Sequence, residues 1–123
     1  MVRGRCQYAL EIMLCLSDAS SELPIAKSKI AERIGISKDY IEQIAKSLVT
    51  AGLVGSKRGI KGGFYLIKHP SKISVQDIIK AQGGTAFVGR VRIPPKSRRV
   101  WHDAESLLTS YFSGITLEEL LKK

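Results

Sequence analysis

Two short stretches of the chain carry side chains whose types and spacing suit them to form a binding surface. The first has four polar residues that recur every three or four positions: Asp39, Glu42, Gln43 and Lys46. A helix turns about 100° per residue, so these four share one face, where they can donate and accept hydrogen bonds. The second stretch has three cations set among glycines: Lys57, Arg58 and Lys61. Cations beside a glycine turn are suited to contact phosphates, because the main chain itself can approach closely.

The apolar residues around the first stretch predict two helices joined by a tight turn. The first helix contributes Ile30, Ala31 and Ile34, with the small Ala31 where two helices cross closely. The second has an apolar face opposite the polar residues, made of Ile36, Ile41, Ile44, Ala45 and Leu48. Gly35 stands at the turn, Ser37 is a good helix N-cap, and Ala51-Gly52 can end the second helix. The pattern is that of a helix-turn-helix.

The second stretch predicts a β-hairpin directly after these helices. Residues 53–58 and 63–67 are expected to form two short strands, joined by the glycine-rich residues 59–62. A hairpin with a basic tip after a helix-turn-helix is a wing. The predicted fold class is therefore mainly α with a small β wing, a winged helix-turn-helix of the kind that reads double-stranded DNA.

The charge of the chain agrees with such a partner. The 123 residues have a net charge of +9, and residues 57–99 hold eleven Lys and Arg against one acidic residue. A basic run is usually only a solvated face. Next to a helix-turn-helix it favours contacts to phosphate.

The remaining elements are expected to pack as one small unit with a helical tail. A first helix at about 5–17 is predicted to bury Ala9, Ile12, Met13 and Leu16. After the wing, Ser74 and Asp77 have capping-box spacing at the start of a short helix. Residues 85–93 are expected to form a strand that Pro94-Pro95 ends, with Phe87, Val91 and Ile93 inward and Arg90 and Arg92 outward. The expected domains are a winged helix-turn-helix over 1–82, a basic connecting segment over 83–96 and C-terminal dimerisation helices over 97–123.

The C-terminal helix, expected over 97–113, has an apolar arc of about 140°. Its members are Val100, Trp101, Ala104, Leu107, Leu108, Tyr111 and Phe112. This arc could dock on its own domain. Because the domain is small and already fills its core with the earlier helices, we expect the aromatic-rich arc to pair with a second copy in a homodimer. Residues 116–119 have capping-box spacing for a last short helix.

The cysteine and hydropathy patterns bear on the compartment. No stretch approaches the ~18 apolar residues of a membrane span, and no export signal is visible, so a cytoplasmic protein without a membrane partner is expected. Cys6 and Cys15 lie too far apart on one helix to form a disulfide within the chain. We expect Cys15 to be a small core residue and Cys6 an exposed thiol; a redox-sensing role is the less favoured alternative.

Several ordered motifs resemble the Rrf-two family of bacterial winged-helix transcriptional regulators. Tyr8-Ala9-Leu10 is similar to its first-helix signature, and residues 30–33 and 40–44 are similar to its helix-turn-helix. Residues 51–54 lead into a wing with Arg58-Gly59 and Gly62-Gly63-Phe64, and 77–79, Val100-Trp101 and 114–117 also fit. The resemblance covers nearly the whole chain. It implies a homodimer whose paired recognition helices enter successive major grooves while the wings reach the flanking minor grooves.

One departure from this family concerns cofactors. Members that sense through an iron–sulfur cluster have three cysteines in the loop before the last long helix, whereas residues 83–99 contain none. Where some members place a histidine ligand this chain has Arg98, and His102 does not match that position. We therefore expect the cluster-free branch, with no cofactor and no metal. Its input could be a partner protein, a small molecule or a thiol change.

Other classes of function fit less well. The sequence has no recognisable Ser/His/Asp arrangement, no metal-ligand spacing, and no P-loop ending at residues 59–63, so an enzyme is not expected. RNA binding is not favoured either, because the sequence lacks the exposed aromatic platform that stacking of bases would need. The alternative from another class is a winged-helix module that binds a protein surface without specific DNA binding.

The sequence thus predicts a dimeric, sequence-specific regulator that binds a palindromic double-stranded DNA operator. A repressor is the favoured form, and an activator is the open alternative. Phosphate contacts are expected from Lys38, Lys46, Lys57 and Lys61, with Arg3 and Arg5 as further candidates. Base contacts in the major groove are expected from Ser37, Asp39, Tyr40, Glu42 and Gln43, and Arg58 is expected in the minor groove.

Overall fold

The computed structural model describes residues 4–84 and 94–122. Six α-helices, one short 3-10 helix (Pro70–Lys72) and one two-stranded sheet make up this part of the chain. The helices are α1 (Gly4–Cys15), α2 (Lys27–Ile34), α3 (Lys38–Thr50), α4 (Val75–Ala81), α5 (Pro95–Ser113) and α6 (Leu117–Leu121). The strands are β1 (Val54–Lys57) and β2 (Gly63–Leu66), between α3 and α4. The predicted fold class, mainly α with a small β wing, is confirmed.

The helix-turn-helix consists of α2 and α3. Gly35 ends α2 with φ 84°, a left-handed conformation that lets the chain reverse and that favours glycine. Ser37 caps α3, since its hydroxyl accepts a hydrogen bond of 3.1 Å from the main-chain N–H of Tyr40. The apolar face of α3 is buried as predicted, through Ile41, Ile44, Ala45 and Leu48.

The wing is an antiparallel hairpin in which Val54 pairs with Leu66 and Lys57 with Gly63. Its second strand also bonds to the segment that precedes α2. The main chains of Ile25 and Phe64 exchange two hydrogen bonds of 2.9 Å. The base of the wing is therefore fixed to the helix-turn-helix, and residues 58–62 project from it.

The core lies between α1, α3 and the start of α4. All four residues predicted to be buried on α1 are fully buried, and Ile78 of α4 joins them. The predicted capping box of α4 is present, with Ser74 and Asp77 bonded reciprocally. The predicted strand over 85–93, with Phe87, Val91, Ile93, Arg90 and Arg92, lies outside the described residues.

The last two helices are joined to this core where α5 ends and α6 begins. The main chain of Leu117 donates to the Ile73 carbonyl, and that of Val75 to the Ile115 carbonyl, both at 2.8 Å. The Leu117 side chain is fully buried in the main core. Half of the capping box expected for α6 is seen, since Thr116 Oγ1 accepts from the Glu119 N–H at 3.1 Å.

α5 differs from the other long helices because none of its residues is buried. It begins at Pro95, two residues before the predicted start, because a proline is well tolerated in the first turn of a helix, where its missing N–H is not needed. Pro94-Pro95 was predicted only as the end of a strand; the pair also begins the helix.

The prediction for the two cysteines was wrong. Cys6 is 3% exposed and packs in a second, smaller cluster with Val75 and Ile79, whereas Cys15 is only half-buried. The cause is the docking of α4 and the C-terminal residues on the start of α1, which the periodicity of α1 does not reveal. Burial raises the pKa of the Cys15 thiol, opposed by the nearby Arg33 guanidinium.

Candidate nucleic-acid interface

The exposed face of α3 has the polar side chains that the sequence places there. Asp39, Glu42, Gln43 and Lys46 are all exposed, opposite the buried isoleucines, and Lys38 is exposed in the first turn. Because the other face of α3 is fully packed, this helix presents its polar side chains on a rigid support.

Two residues at the start of α3 are used partly inside the protein. The Ser37 hydroxyl accepts the capping hydrogen bond, which occupies one of its two lone pairs. The half-buried Tyr40 ring meets the ring of Tyr8 edge-on, with centroids 5.7 Å apart. Of the other residues predicted to contact bases, Asp39, Glu42 and Gln43 are exposed on α3.

A groove of about 410 Å³ separates α3 from the wing. It brings Glu42 of α3 together with Lys57 and Arg58 of the wing, and glycines form part of its floor. Lys57 Nζ donates to the Ser21 carbonyl at 3.2 Å, so the lysine is oriented while two of its three ammonium protons remain available. Lys61 is exposed in the turn between the strands but does not line this groove.

Lys27 also lines the groove and was not predicted from the sequence. Its ammonium lies 3.3 Å from the Glu42 carboxylate. An exposed pair of this kind contributes little to stability, so a ligand can displace it at low cost. Helical spacing favours Lys38 and Lys46, each four residues from Glu42, as its partners. The observed partner is instead the first residue of α2, which the helix-turn-helix geometry brings alongside α3.

The close approach of the wing turn depends on Gly62. A Cβ atom at this position would collide with the main-chain carbonyl oxygen of Lys57 and would lie 3.0 Å from that of Gly59. The turn is also closed by a hydrogen bond of 3.0 Å from the Gly62 N–H to the Gly59 carbonyl. A glycine is thus required for the tight turn that holds Arg58 and Lys61.

Arg5 does not lie free at the surface, where a phosphate contact was expected. Its guanidinium donates to the Gln82 side chain at 2.6 Å and to Ser47 Oγ at 2.9 Å. Gln82 is a further residue that sequence reasoning missed, and no motif could have indicated it. Arg3 lies outside the described residues.

The predicted dimerisation arc is exposed along most of α5. Val100, Trp101, Leu107 and Tyr111 are exposed, and Ala104 and Leu108 are half-buried. Phe112 belongs to the same arc but packs against the Cys6, Val75 and Ile79 cluster of its own chain. The arc is therefore attached to its domain near Phe112, and Val100, Leu107 and Tyr111 are its most exposed members.

Residues 4–84 and 94–122 contain no group of three His, Cys, Asp or Glu side chains that could hold a metal ion. The chain has only two cysteines, both on α1. These donors do not fit an iron–sulfur cluster held by three cysteines of one chain. Within the described part of the chain, no helix combines the length and the hydrophobicity needed to cross a bilayer.

The helix-turn-helix, its polar α3 face and the basic wing together define a winged-helix transcriptional regulator. Residues 2–123 match the family model described as Rrf2, iron-dependent transcriptional regulator. The chain belongs to the Rrf2 family.

Its relatives are regulators of the same kind. The HTH-type transcriptional regulator IscR of Vibrio atlanticus (strain LGP32) is 37% identical over 128 residues, 98% of this chain and 73% of the relative. Among solved structures, T. potens IscR has a TM-score of 0.79 at 32% identity, covering 99% of this chain and 86% of that one. CymR, the global cysteine regulator of B. subtilis, has a TM-score of 0.80 at 31% identity, covering 99% and 96%. The chain is a transcriptional regulator and not an enzyme.

Proposed function

We propose that the chain is a homodimeric, sequence-specific binder of double-stranded DNA that represses transcription by occupying a palindromic operator. The observation that carries the proposal is the groove in which Glu42 of α3 faces Lys57 and Arg58 of the wing. With α3 in the major groove, the sugar-phosphate backbone between the two grooves of the duplex would run past the cations of this groove, Lys27, Lys57 and Arg58, while Glu42 on the α3 side would face the bases. The wing would then reach the adjacent minor groove.

The roles of the side chains follow from their exposure and chemistry. Asp39, Glu42 and Gln43 would contact base edges, Gln43 through a bidentate pair with adenine and Glu42 by accepting from cytosine. Ser37 and Tyr40, held by contacts within the protein, would lie at the edge of that contact. Arg58 would enter the minor groove and read its width. Phosphate contacts would come from Lys38, Lys46, Lys57 and Lys61, to which the position of Lys27 adds a further candidate.

The exposed arc of α5 supports the proposed homodimer. Val100, Leu107 and Tyr111 are more than half exposed on this helix, and a second copy that covers them would remove this apolar surface from water. Paired readers on half-sites about 34–36 Å apart would explain a palindromic operator. In this arrangement residues 1–82 bind DNA, 83–96 connect, and 97–123 pair the two copies, with an effector protein or small molecule as the possible input. Since promoters are in the cytoplasm of a bacterium, we propose that location.

The test separates base contacts from phosphate contacts. Operator fragments are selected from genomic DNA, and binding to operator and random duplexes is measured over a series of salt concentrations. Gln43→Ala should relax the preference at particular base positions and leave the salt slope unchanged. Lys57→Ala should weaken binding to both duplexes and lower the slope by about one per lost contact.

Lys72→Ala is the matched control, because it removes the same charge from an exposed turn that packs near α6 and not beside α3. It should leave both affinities nearly unchanged. Weak binding to all duplexes with no steep dependence on salt would contradict the proposal and favour the alternative, a winged-helix module that binds a protein surface.

A further inference from the structure

A small hydrogen-bonded cluster joins three helices behind the polar face of α3. Arg5 of α1 donates through Nε to Gln82 Oε1 at 2.6 Å. Through Nη2 it donates to Ser47 Oγ at 2.9 Å and to the Gln43 main-chain carbonyl at 3.2 Å. Gln82, which follows α4, donates through Nε2 to the Ile44 carbonyl at 3.4 Å. We call Arg5, Gln82 and Ser47 the Arg5 cluster.

The burial of Gln82 shows that this cluster is part of the built structure. Gln82 is 8% exposed and is the one buried polar residue in residues 4–84 and 94–122. A buried amide is tolerated only when its donor and acceptor both have partners, and here both do. The bond from a charged guanidinium to its oxygen is short, as charge-assisted hydrogen bonds are.

Two of these bonds end on the main chain of α3 and not on side chains. The carbonyls of Gln43 and Ile44 are consecutive, and each receives a donor from a different element. Two anchors on one turn of a helix resist rotation about the helix axis as well as sliding along it. Gln43 is also the residue whose side chain faces outward from that same turn.

We propose that Arg5 and Gln82 are positioning residues, which hold α3 in the orientation that lets Glu42 and Gln43 meet base edges. The inference rests on the proposed function. Specific contacts need a geometry held within about 0.5 Å and 10–20°, so a small rotation of α3 would remove base reading before it affected phosphate attraction. Arg5 therefore acts through α3 and not as a phosphate contact.

Substitution of Arg5 separates these two roles. Lysine keeps the positive charge but lacks the planar fork that bonds Gln82, Ser47 and a carbonyl together. If Arg5 positions α3, Arg5→Lys should lower the ratio of operator to random affinity about tenfold, the effect of losing a good base contact, with an unchanged salt slope. If Arg5 contacts phosphate, Arg5→Lys should behave as the wild type, and Arg5→Ala should weaken both duplexes equally.

Gln82→Leu provides a second arm without any change of charge. It keeps approximately the size of the side chain and removes both hydrogen bonds, so it should reproduce the loss of specificity. Since both residues act in one cluster, the Arg5→Lys/Gln82→Leu double variant should lose little more than either single variant. In these variants, the preference for one base over the other three should decrease at the operator positions that Glu42 and Gln43 contact.

A general loss of stability must be distinguished from positioning. Ile73→Val is the control, because Ile73 is fully buried in the core but outside the Arg5 cluster. It should lower the melting temperature and leave the base-preference profile intact. If Gln82→Leu does not fold, Arg5→Lys still decides the question.

The possible failures are separable. If the wild-type protein shows no salt-dependent binding to duplex DNA, the proposed function is wrong. If the wild type binds an operator but Arg5→Lys and Gln82→Leu keep its operator-to-random ratio, the positioning role is wrong while the proposed function stands.

Discussion

The dimer proposal can be tested by the same substitution at two leucines of the C-terminal helices. Leu107 of α5 is 72% exposed, whereas Leu117 of α6 is fully buried in the core. Full burial of a leucine is worth about 1.5–3 kcal/mol. If a two-fold partner covers the exposed part of Leu107, Leu107→Ala removes about 1–2 kcal/mol per subunit and about 2–4 kcal/mol per dimer. The dissociation constant of the dimer should therefore rise about 30- to 700-fold.

Leu117→Ala should lower the stability of the folded monomer and not act through the dimer interface. It opens a cavity in the core, which costs about 2–5 kcal/mol of a total folding stability of about 5–15 kcal/mol. Its melting temperature should fall by roughly 10 °C or more even when the protein is dilute. Leu107→Ala should keep the melting temperature of the dilute wild type, because its side chain contacts little in the monomer.

Sedimentation over a range of concentrations, with thermal unfolding at both ends of that range, measures both effects. A wild-type protein that stays a folded monomer at micromolar concentration would refute the use of α5 as a pairing surface. So would a Leu107→Ala variant with the dissociation constant of the wild type.

Two further predictions concern the wing and α1. Gly62→Ala should open the wing turn, because the nearest atoms that the new Cβ would meet belong to the main chain. Operator binding should weaken although every wing cation is kept. Gly4→Ala is the control for the substitution itself, because no atom lies within 4 Å of that site. Burial raises the pKa of the Cys15 thiol, so the unfolded chain loses this proton at a lower pH than the folded chain. The contribution of Cys15 to the free energy of unfolding is therefore fully present below the ordinary thiol pKa and is lost as the pH rises through the raised pKa of the folded chain. Urea unfolding over an alkaline pH series should show a shallower decline for Cys15→Ala, and an identical decline would contradict the assignment.

The local parts of the interface could be predicted because each depends on residues close in sequence. The face of α3 follows from the spacing of its isoleucines, and its start from the Ser37 cap. The wing follows from glycines between two short apolar runs, and the structure places β1 and β2 within the predicted strands. Periodicity, caps and turns are properties of a few neighbouring residues, so a single sequence contains them.

Contacts between distant segments could not be predicted in this way. Arg5 and Gln82 are 77 positions apart, and only the packing of α1 against α4 brings them together. The burial of Cys6 has the same origin, since its neighbours Val75 and Ile79 belong to α4. The pair between Glu42 and Lys27 likewise depends on the angle between α2 and α3, which the spacing of residues within one helix does not give.

These long-range contacts connect the two ends of the proposed mechanism. Leu117 fixes the C-terminal helices to the core that includes α1, and Arg5 fixes the start of α1 to the main chain of α3. A packed core transmits displacement because its side chains have little free space. In the proposed dimer, the pairing of α5 would therefore set the separation and the rotation of the two α3 helices together. A palindromic operator with a fixed distance between half-sites is the DNA that such a rigid pair can bind with both readers at once.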